Sequence, residues 1–184
     1  MIKYNCSWLI QSLEAGKDIK FLYFWGHRPS KNGQITSSCF SQWWEAPFVV
    51  ANTTYKTAEH WMMAQKALLF GDEQIHDKIV QSKSPGEAKA LGRKVKNFDQ
   101  AIWEKERYPI VVNGNLAKFQ QHPDLKAFLL NTKERVLVEA SPVDSIWGIG
   151  LAADDERASK PEKWEGLNLL GFALMETRDI LRNP

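Results

Sequence analysis

The sequence is short of several features that would assign a function directly. It has only two cysteines, Cys6 and Cys39, and they are not in CxxC spacing. Neither a disulfide framework nor a zinc site is therefore indicated, and a reducing cytoplasm is the expected compartment. The apolar runs are far shorter than the roughly 20 residues of a membrane helix, and the N-terminus lacks the apolar core of a signal peptide. We expect a soluble, cytoplasmic protein that does not bind membranes.

The chain also lacks a large excess of one charge. Lysine and arginine total 24, aspartate and glutamate total 22, and the formal net charge is +2. Charges of both signs are mixed along the whole length, so composition alone shows no nucleic-acid footprint. The densest cationic stretch fits a solvated helix face better than a basic patch around the site. It contains Lys83, Lys89, Arg93, Lys94 and Lys96.

Recognisable catalytic and metal-binding motifs are absent as well. No Walker loop, Rossmann fingerprint or Ser-His-Asp motif occurs. The four histidines, at positions 27, 60, 76 and 122, are too scattered to propose a metal site. We therefore expect no metal and no cofactor, and the candidate chemistry rests on carboxylates beside aromatic residues.

The clearest predicted element is a helix that begins after Thr57 and ends at Phe70. Thr57 is a favoured N-cap residue, and Gly71 is a favoured residue just past a helix end. Apolar residues cover most of the circumference, which predicts burial on nearly all sides. Glu59 and Lys66 share one face but lie roughly 10 Å apart along the axis, too far for a simple ion pair. Each needs its own partner or a ligand, although Glu59 also fits a first-turn acid and Lys66 a snorkelling side chain.

The remaining pattern predicts a mostly helical α+β fold in a single domain that spans residues 1–184. Further helices are expected from Ser7 to Gly16, after Asp72, after Ser84, from Asp99 to Gln121 with a break or kink at Pro109, and from Pro123. A final amphipathic helix is expected from Leu167 to Leu181, and the residues expected to face inward are Leu170, Leu174, Ile180 and Leu181. Strands are expected at 21–25, within 40–50 and at 136–139, and a turn is expected at Asn52-Thr53-Thr54.

A second carboxylate stands in a turn-rich stretch that follows the last predicted strand. Asp144 lies three residues before Trp147, in a segment that contains Gly148 and Gly150. Loops of this kind commonly present catalytic groups. The same residue fits an Asx turn that organises its own loop, and the sequence leaves both interpretations open.

Motifs along nearly the whole chain resemble the NADAR family, which includes the YbiA-like N-glycosidases. The family signature SEH-x-x-x-AQK is matched by Thr57-Ala58-Glu59-His60 with Ala64-Gln65-Lys66-Ala67. Later matches follow in order: Leu116-Ala117-Lys118-Phe119 with Gln121-His122, Asp144-x-x-Trp147-Gly148-x-Gly150, and Asn168-x-Leu170-Gly171. Together the matches extend from about residue 21 to residue 180.

This resemblance implies a compact, mainly helical domain that hydrolyses N-glycosidic bonds to ribose. It implies two substrate classes: reactive ribosylaminopyrimidine phosphate intermediates of riboflavin biosynthesis, and ADP-ribose attached to guanine, free or in nucleic acid. We favour the first, because a nearly neutral chain fits a small nucleotide-like substrate better than long duplex DNA. A non-catalytic ADP-ribose-binding module is an alternative of a different class, but such a module has no need of two acids.

The resemblance, carried over position by position, implies that Glu59, Asp144 and Trp103 are the catalytic residues. Asp144 is expected to activate water and stabilise an oxocarbenium-like cation, Glu59 to bind ribose hydroxyls or protonate the base, and Trp103 to stack on the base. The division of roles between the two acids stays open. Lys66 is expected to hold a phosphate or a ribose oxygen, and condensation of its amine with the opened C1 aldehyde is also left open. The other expected substrate-binding residues are His60, Lys118, Trp147 and Asn168.

The chain departs from the family pattern at two places. Ala58 stands where serine is usual, and Phe40-Ser41-Gln42-Trp43-Trp44 stands where the family reads closer to LSNF. We expect the second segment to lie near the ligand entrance, where it would affect substrate identity more than reaction type.

Overall fold

The fold is known from a computed structural model that describes residues 3–183. Within these residues it has seven α-helices and four short strands, so the prediction of a mostly helical α+β fold is confirmed. The helices are α1 (Cys6–Glu14), α2 (Ala58–Leu69), α3 (Glu73–Gln81), α4 (Pro85–Gly92), α5 (Gln100–Gln121), α6 (Pro123–Leu130) and α7 (Leu169–Arg182). The strands are β1 (Phe21–Phe24), β2 (Phe48–Val50), β3 (Thr53–Tyr55) and β4 (Val136–Glu139), and short 3₁₀ helices cover Ser37–Phe40 and Pro161–Lys163.

The chain divides into two compact units. Unit 1 contains residues 3–41 and 124–183, and unit 2 contains residues 42–123. The single domain over 1–184 stays a prediction.

Unit 1 is built on two parallel strands, in which β1 pairs in register with β4. The first three residues of β4 are apolar and buried, as expected of a strand covered on both faces. Helix α7 packs against this strand and buries Leu170, Leu174 and Leu181, as predicted. The inward position predicted for Ile180 is wrong, since this side chain is 39% exposed at the edge of the helix.

Unit 2 is organised around α2, which packs against α3, α4 and α5. Eight of its twelve residues are buried, which confirms the burial expected from its composition. The Thr57 hydroxyl caps the helix by accepting from the His60 N–H. Gly71 follows the helix end with φ at +71°, a left-handed conformation that a side chain would strain.

One local prediction in unit 2 is wrong, and a second is wrong in part, since only the break at Pro109 is excluded and a kink there stays a prediction. The expected turn at Asn52-Thr53-Thr54 is shorter, because Ala51 and Asn52 both take positive φ and Thr53 already belongs to β3, paired antiparallel with β2. Two consecutive positive-φ residues match the twist of a tight hairpin. The helix also does not break at Pro109, since α5 continues through it. Proline removes one helix hydrogen bond, but the buried neighbours Tyr108 and Val111 anchor the helix on both sides.

Residues 3–183 contain neither a membrane-spanning helix nor a cluster of metal-binding side chains. No helix there has the length and apolar character needed to cross a membrane. No group of three or more His, Cys, Asp or Glu side chains is arranged to hold a metal ion.

Candidate active site

The first turn of α2 places Glu59 in the interior of unit 2. Glu59 is the second residue of the helix, and its side chain is buried. Its N–H, which has no acceptor within the helix, donates to the carbonyl oxygen of Gln42 at 2.9 Å. The backbone of Glu59 is therefore held by a residue that lies outside α2.

His60 fixes the same turn of α2 to the segment before α4. Its Nδ1 lies 2.8 Å from the Thr57 hydroxyl and its Nε2 lies 3.3 Å from the Ser82 carbonyl oxygen. A carbonyl only accepts, so Nε2 carries the proton and Nδ1 accepts from the hydroxyl. Burial lowers the pKa of His60, which keeps the ring neutral. Both nitrogens are used and the ring is fully buried, which favours a positioning role, and the expected substrate contact of His60 stays a prediction.

Lys66 and Trp103 lie next to each other in unit 2. The Lys66 ammonium lies 5.5 Å from the centre of the Trp103 ring and 4.2 Å from that of Phe98, and it donates to the Gly92 carbonyl at 3.0 Å. Partial burial lowers the pKa of Lys66. It forms no ion pair with a carboxylate of residues 3–183. A cation held by two rings and one carbonyl can still accept an anionic group.

The two rings beside Lys66 differ in access. Trp103 is almost entirely buried, so its predicted stacking on a base stays a prediction. Phe98 is 42% exposed and packs edge-on against Phe70 at 5.3 Å. Sequence reasoning missed Phe98; the available signal was an aromatic residue directly before Asp99, the residue that caps α5.

Asp144 organises its own loop and also leaves one oxygen for chemistry. Its Oδ1 accepts from the N–H groups of Ile146 at 2.9 Å and Trp147 at 2.8 Å, as an Asx turn requires. Its Oδ2 forms no hydrogen bond within residues 3–183, and the side chain is partly exposed. Trp147, from the same loop, is also partly exposed. The structural and the catalytic interpretations of Asp144 are therefore compatible, because they use different oxygens.

Asn168 attaches this loop to β4. Its Oδ1 accepts from the Glu139 N–H and its Nδ2 donates to the Leu137 carbonyl, both at 2.9 Å, while its own N–H donates to the Gly148 carbonyl at 3.0 Å. Gly148 must be small, since a Cβ there would lie 2.8 Å from the Glu139 carbonyl oxygen. The Asn168 amide is fully buried and used on both sides, which favours a positioning role, and its expected substrate contact stays a prediction.

Lys118 is also deeply buried, and its expected substrate contact likewise stays a prediction. It is on α5, its side chain is 0% exposed, and its ammonium lies 5.2 Å from the centre of the Phe119 ring. Sequence reasoning missed two other buried polar residues of unit 2, Gln42 and Asn115, which hydrogen-bond to each other at 3.0 Å. The signal was an asparagine on the buried face of a helix, but its partner lies 73 positions away.

Comparison with known proteins supports the motif assignment. A family model described as the NADAR domain matches residues 23–182. The chain is 44% identical to N-glycosidase R617 of Acanthamoeba polyphaga mimivirus over 165 residues, which cover 87% of this chain and 95% of that protein. It is 36% identical to N-glycosidase Npun_R5314 of Nostoc punctiforme over 145 residues, which cover 79% and 86% of the two chains. The NMR structure of the E. coli protein YbiA matches with a TM-score of 0.71 and 29% identity over 90% of this chain and 87% of that one.

The fold and these relatives define the protein class as an enzyme, a hydrolase that acts on N-glycosyl compounds. The chain belongs to the NADAR domain family. The family resemblance found from the motifs is thereby confirmed, and the roles of individual residues are taken up below as proposals.

Proposed function

We propose that this N-glycosidase cleaves the bond between ribose and base in ribosylaminopyrimidine phosphates, the reactive intermediates of riboflavin biosynthesis. The observation that carries this choice is the environment of Lys66. Its ammonium is half-buried between Phe98 and Trp103 and forms no ion pair with a carboxylate of residues 3–183. A cation flanked by flat rings suits a substrate that has both a phosphate and a planar base.

The proposed reaction uses two carboxylic acids. The C1–N bond breaks with its electron pair going to the base, which leaves an oxocarbenium-like ribose cation. Asp144 removes a proton from the water that adds to C1. Either Glu59 protonates the departing nitrogen, or Glu59 binds a ribose hydroxyl and the nitrogen receives the proton that Asp144 took from the water. The Asp144 carboxylate suits this role because Oδ1 is fixed by two backbone N–H groups while Oδ2 can receive the proton.

Removal of ADP-ribose from guanine is the second candidate, and one observation favours it. Lys89, in the cationic stretch of α4, has its ammonium 6.0 Å from the centre of the partly exposed Trp43 ring. A basic side chain beside an aromatic ring is a common way to bind single-stranded nucleic acid. A non-catalytic ADP-ribose-binding module fits less well, since its ligand is anionic and needs no pair of acids.

A direct comparison of substrates tests the proposal. We expect a higher kcat/KM on the ribosylaminopyrimidine phosphate than on ADP-ribosylated guanine, either free or in an oligonucleotide, with weak dependence on salt. A preference for the oligonucleotide of more than about a hundredfold, roughly 2.7 kcal/mol, that shrinks as salt rises would overturn this choice. Tight ADP-ribose binding without release of base from either substrate would support the module instead.

The role of Lys66 is tested separately with Lys66→Gln. We expect KM for the phosphorylated substrate to rise roughly 10- to 100-fold, the usual loss for one charge-assisted hydrogen bond, with a small change on the dephosphorylated riboside. Lys105→Gln is the matched control, because Lys105 is a solvent-exposed lysine of the same unit. A loss of kcat on both substrates with KM unchanged would instead support the condensing-amine role.

A further inference from the structure

Two buried amide side chains connect Glu59 to the middle of α5. The Gln42 carbonyl oxygen accepts the Glu59 N–H, and the Gln42 Oε1 accepts from Asn115 Nδ2 at 3.0 Å. Asn115 is 0% exposed and gives its other amide proton to the Val111 carbonyl, one helical turn earlier, at 2.9 Å. Asn115 on α5 therefore holds the side chain of Gln42, and the backbone carbonyl of the same Gln42 holds the backbone of the candidate acid.

This amide pair is only half satisfied. Gln42 Nε2 and Asn115 Oδ1 are both buried, and neither has a hydrogen-bond partner among residues 3–183. Exchanging the oxygen and nitrogen of Asn115 would place its oxygen against two acceptors, the Val111 carbonyl and Gln42 Oε1. Exchanging those of Gln42 would place two NH₂ groups against each other. The observed orientation is thus the best available to the pair, and it still leaves one donor and one acceptor unused.

Stability alone does not account for such a pair. Buried polar groups that lack partners destabilise a fold, and two apolar residues of similar shape would fill the same space without that penalty. Features that cost stability tend to occur where function requires a particular geometry. The pair also involves Gln42, in the segment where this chain departs from the LSNF phrase of its family.

We propose that Gln42 and Asn115 are positioning residues that hold Glu59 in its catalytic orientation. The proposal rests on the proposed function only in taking Glu59 as a catalytic acid. Asn115 fixes the Gln42 side chain, the Gln42 carbonyl then fixes the second residue of α2, and the Glu59 carboxylate keeps one direction relative to the sugar. Neither amide needs to touch the substrate, which agrees with their burial.

The first test replaces Asn115 with leucine, which has nearly the same shape. We expect kcat to fall about 10- to 100-fold, KM to stay within about threefold, and the melting temperature to stay equal or rise. Gln42→Met removes the same side-chain contact and keeps the backbone carbonyl, so it gives an independent test if Asn115→Leu does not fold. The control is Thr177→Val, because Thr177 also makes a buried bond to the carbonyl one turn earlier, in α7 of the other unit. The control should keep full kcat.

The second test combines Asn115→Leu with Glu59→Gln and follows single turnovers with enzyme in excess. If Asn115 acts through Glu59, its replacement should change the rate less than about twofold once the carboxylate is gone. Equal losses in both backgrounds, or no loss of kcat in Asn115→Leu and Gln42→Met, would overturn the positioning role and leave the proposed function intact. Full activity of Glu59→Gln alone would instead remove Glu59 from the mechanism.

Discussion

The two candidate acids are held in opposite ways. Asp144 in unit 1 is fixed through its side chain, whose Oδ1 accepts from N–H groups only two and three residues further along the chain. Glu59 in unit 2 is held through its backbone by the backbone carbonyl of Gln42, whose side chain is in turn bonded to distant Asn115. Asp144 is partly exposed, whereas Glu59 is buried at the start of a helix surrounded by other helices.

This difference indicates how each acid can serve an N-glycosidase. A partly exposed carboxylate with one fixed and one available oxygen suits an attacking water molecule. A buried carboxylate on a rigid helix suits a fixed contact with the sugar or base, where small displacements are costly. Local hydrogen bonds thus position Asp144, whereas tertiary packing positions Glu59.

Neutralising either acid should give the largest effect. We expect Glu59→Gln and Asp144→Asn each to lower kcat by about 10²- to 10⁴-fold, the usual cost of removing one acid–base group. Both proteins should stay folded, because asparagine can still accept the two loop hydrogen bonds and glutamine preserves the shape of Glu59. Steady-state kinetics and thermal melting measure the two effects side by side. Full activity in either variant would exclude that residue, and a large drop in melting temperature with kcat unchanged would show a structural role.

The same contrast explains what could be predicted from the sequence. Thr57, Asp72, Ser84 and Asp99 were recognisable as caps or helix starts because their side chains bond to amides three residues ahead. The Asx turn of Asp144 was predictable for the same reason. Such contacts depend on spacing alone, so a short stretch of sequence contains all the information.

Other features depend on partners that spacing does not reveal. The amides of Gln42 and Asn115 meet only after unit 2 has folded, and the motif matches gave no reason to pair them. Motifs also named residue types without showing how their atoms are used. His60 and Asn168 were therefore expected at the substrate, whereas both polar atoms of each side chain are bonded inside the protein.

Removing the Asp144 side chain should separate its two functions. Asp144→Ala loses the two loop hydrogen bonds that Asp144→Asn can keep, so we expect it to lower the free energy of unfolding by about 1–3 kcal/mol relative to Asp144→Asn. Both variants should be equally inactive. Urea denaturation of the two proteins measures the difference. Equal stabilities would mean that the loop does not depend on Oδ1, and the proposed contrast with Glu59 would then be wrong.

The smallest expected effect is a pH dependence of stability in unit 2 that is due to His60. Burial is the main cause of its lowered pKa; the charge of Lys56 acts in the same direction, while the Ser82 carbonyl and Glu87 oppose it. The unfolded ring has its ordinary pKa of 6.5, so below that pH the unfolded chain binds more protons than the folded one. The contribution of the neutral ring is therefore complete above pH 6.5 and is lost as the pH falls toward the lower pKa of the folded state. His60→Gln should be less stable than the unmodified protein at pH 7.5, because it loses the buried ring and its two hydrogen bonds. Between pH 6.5 and pH 5, however, the stability of the variant should fall less. Urea titrations of both proteins at these pH values measure the slopes, and equal slopes would show that His60 does not titrate on unfolding in this range.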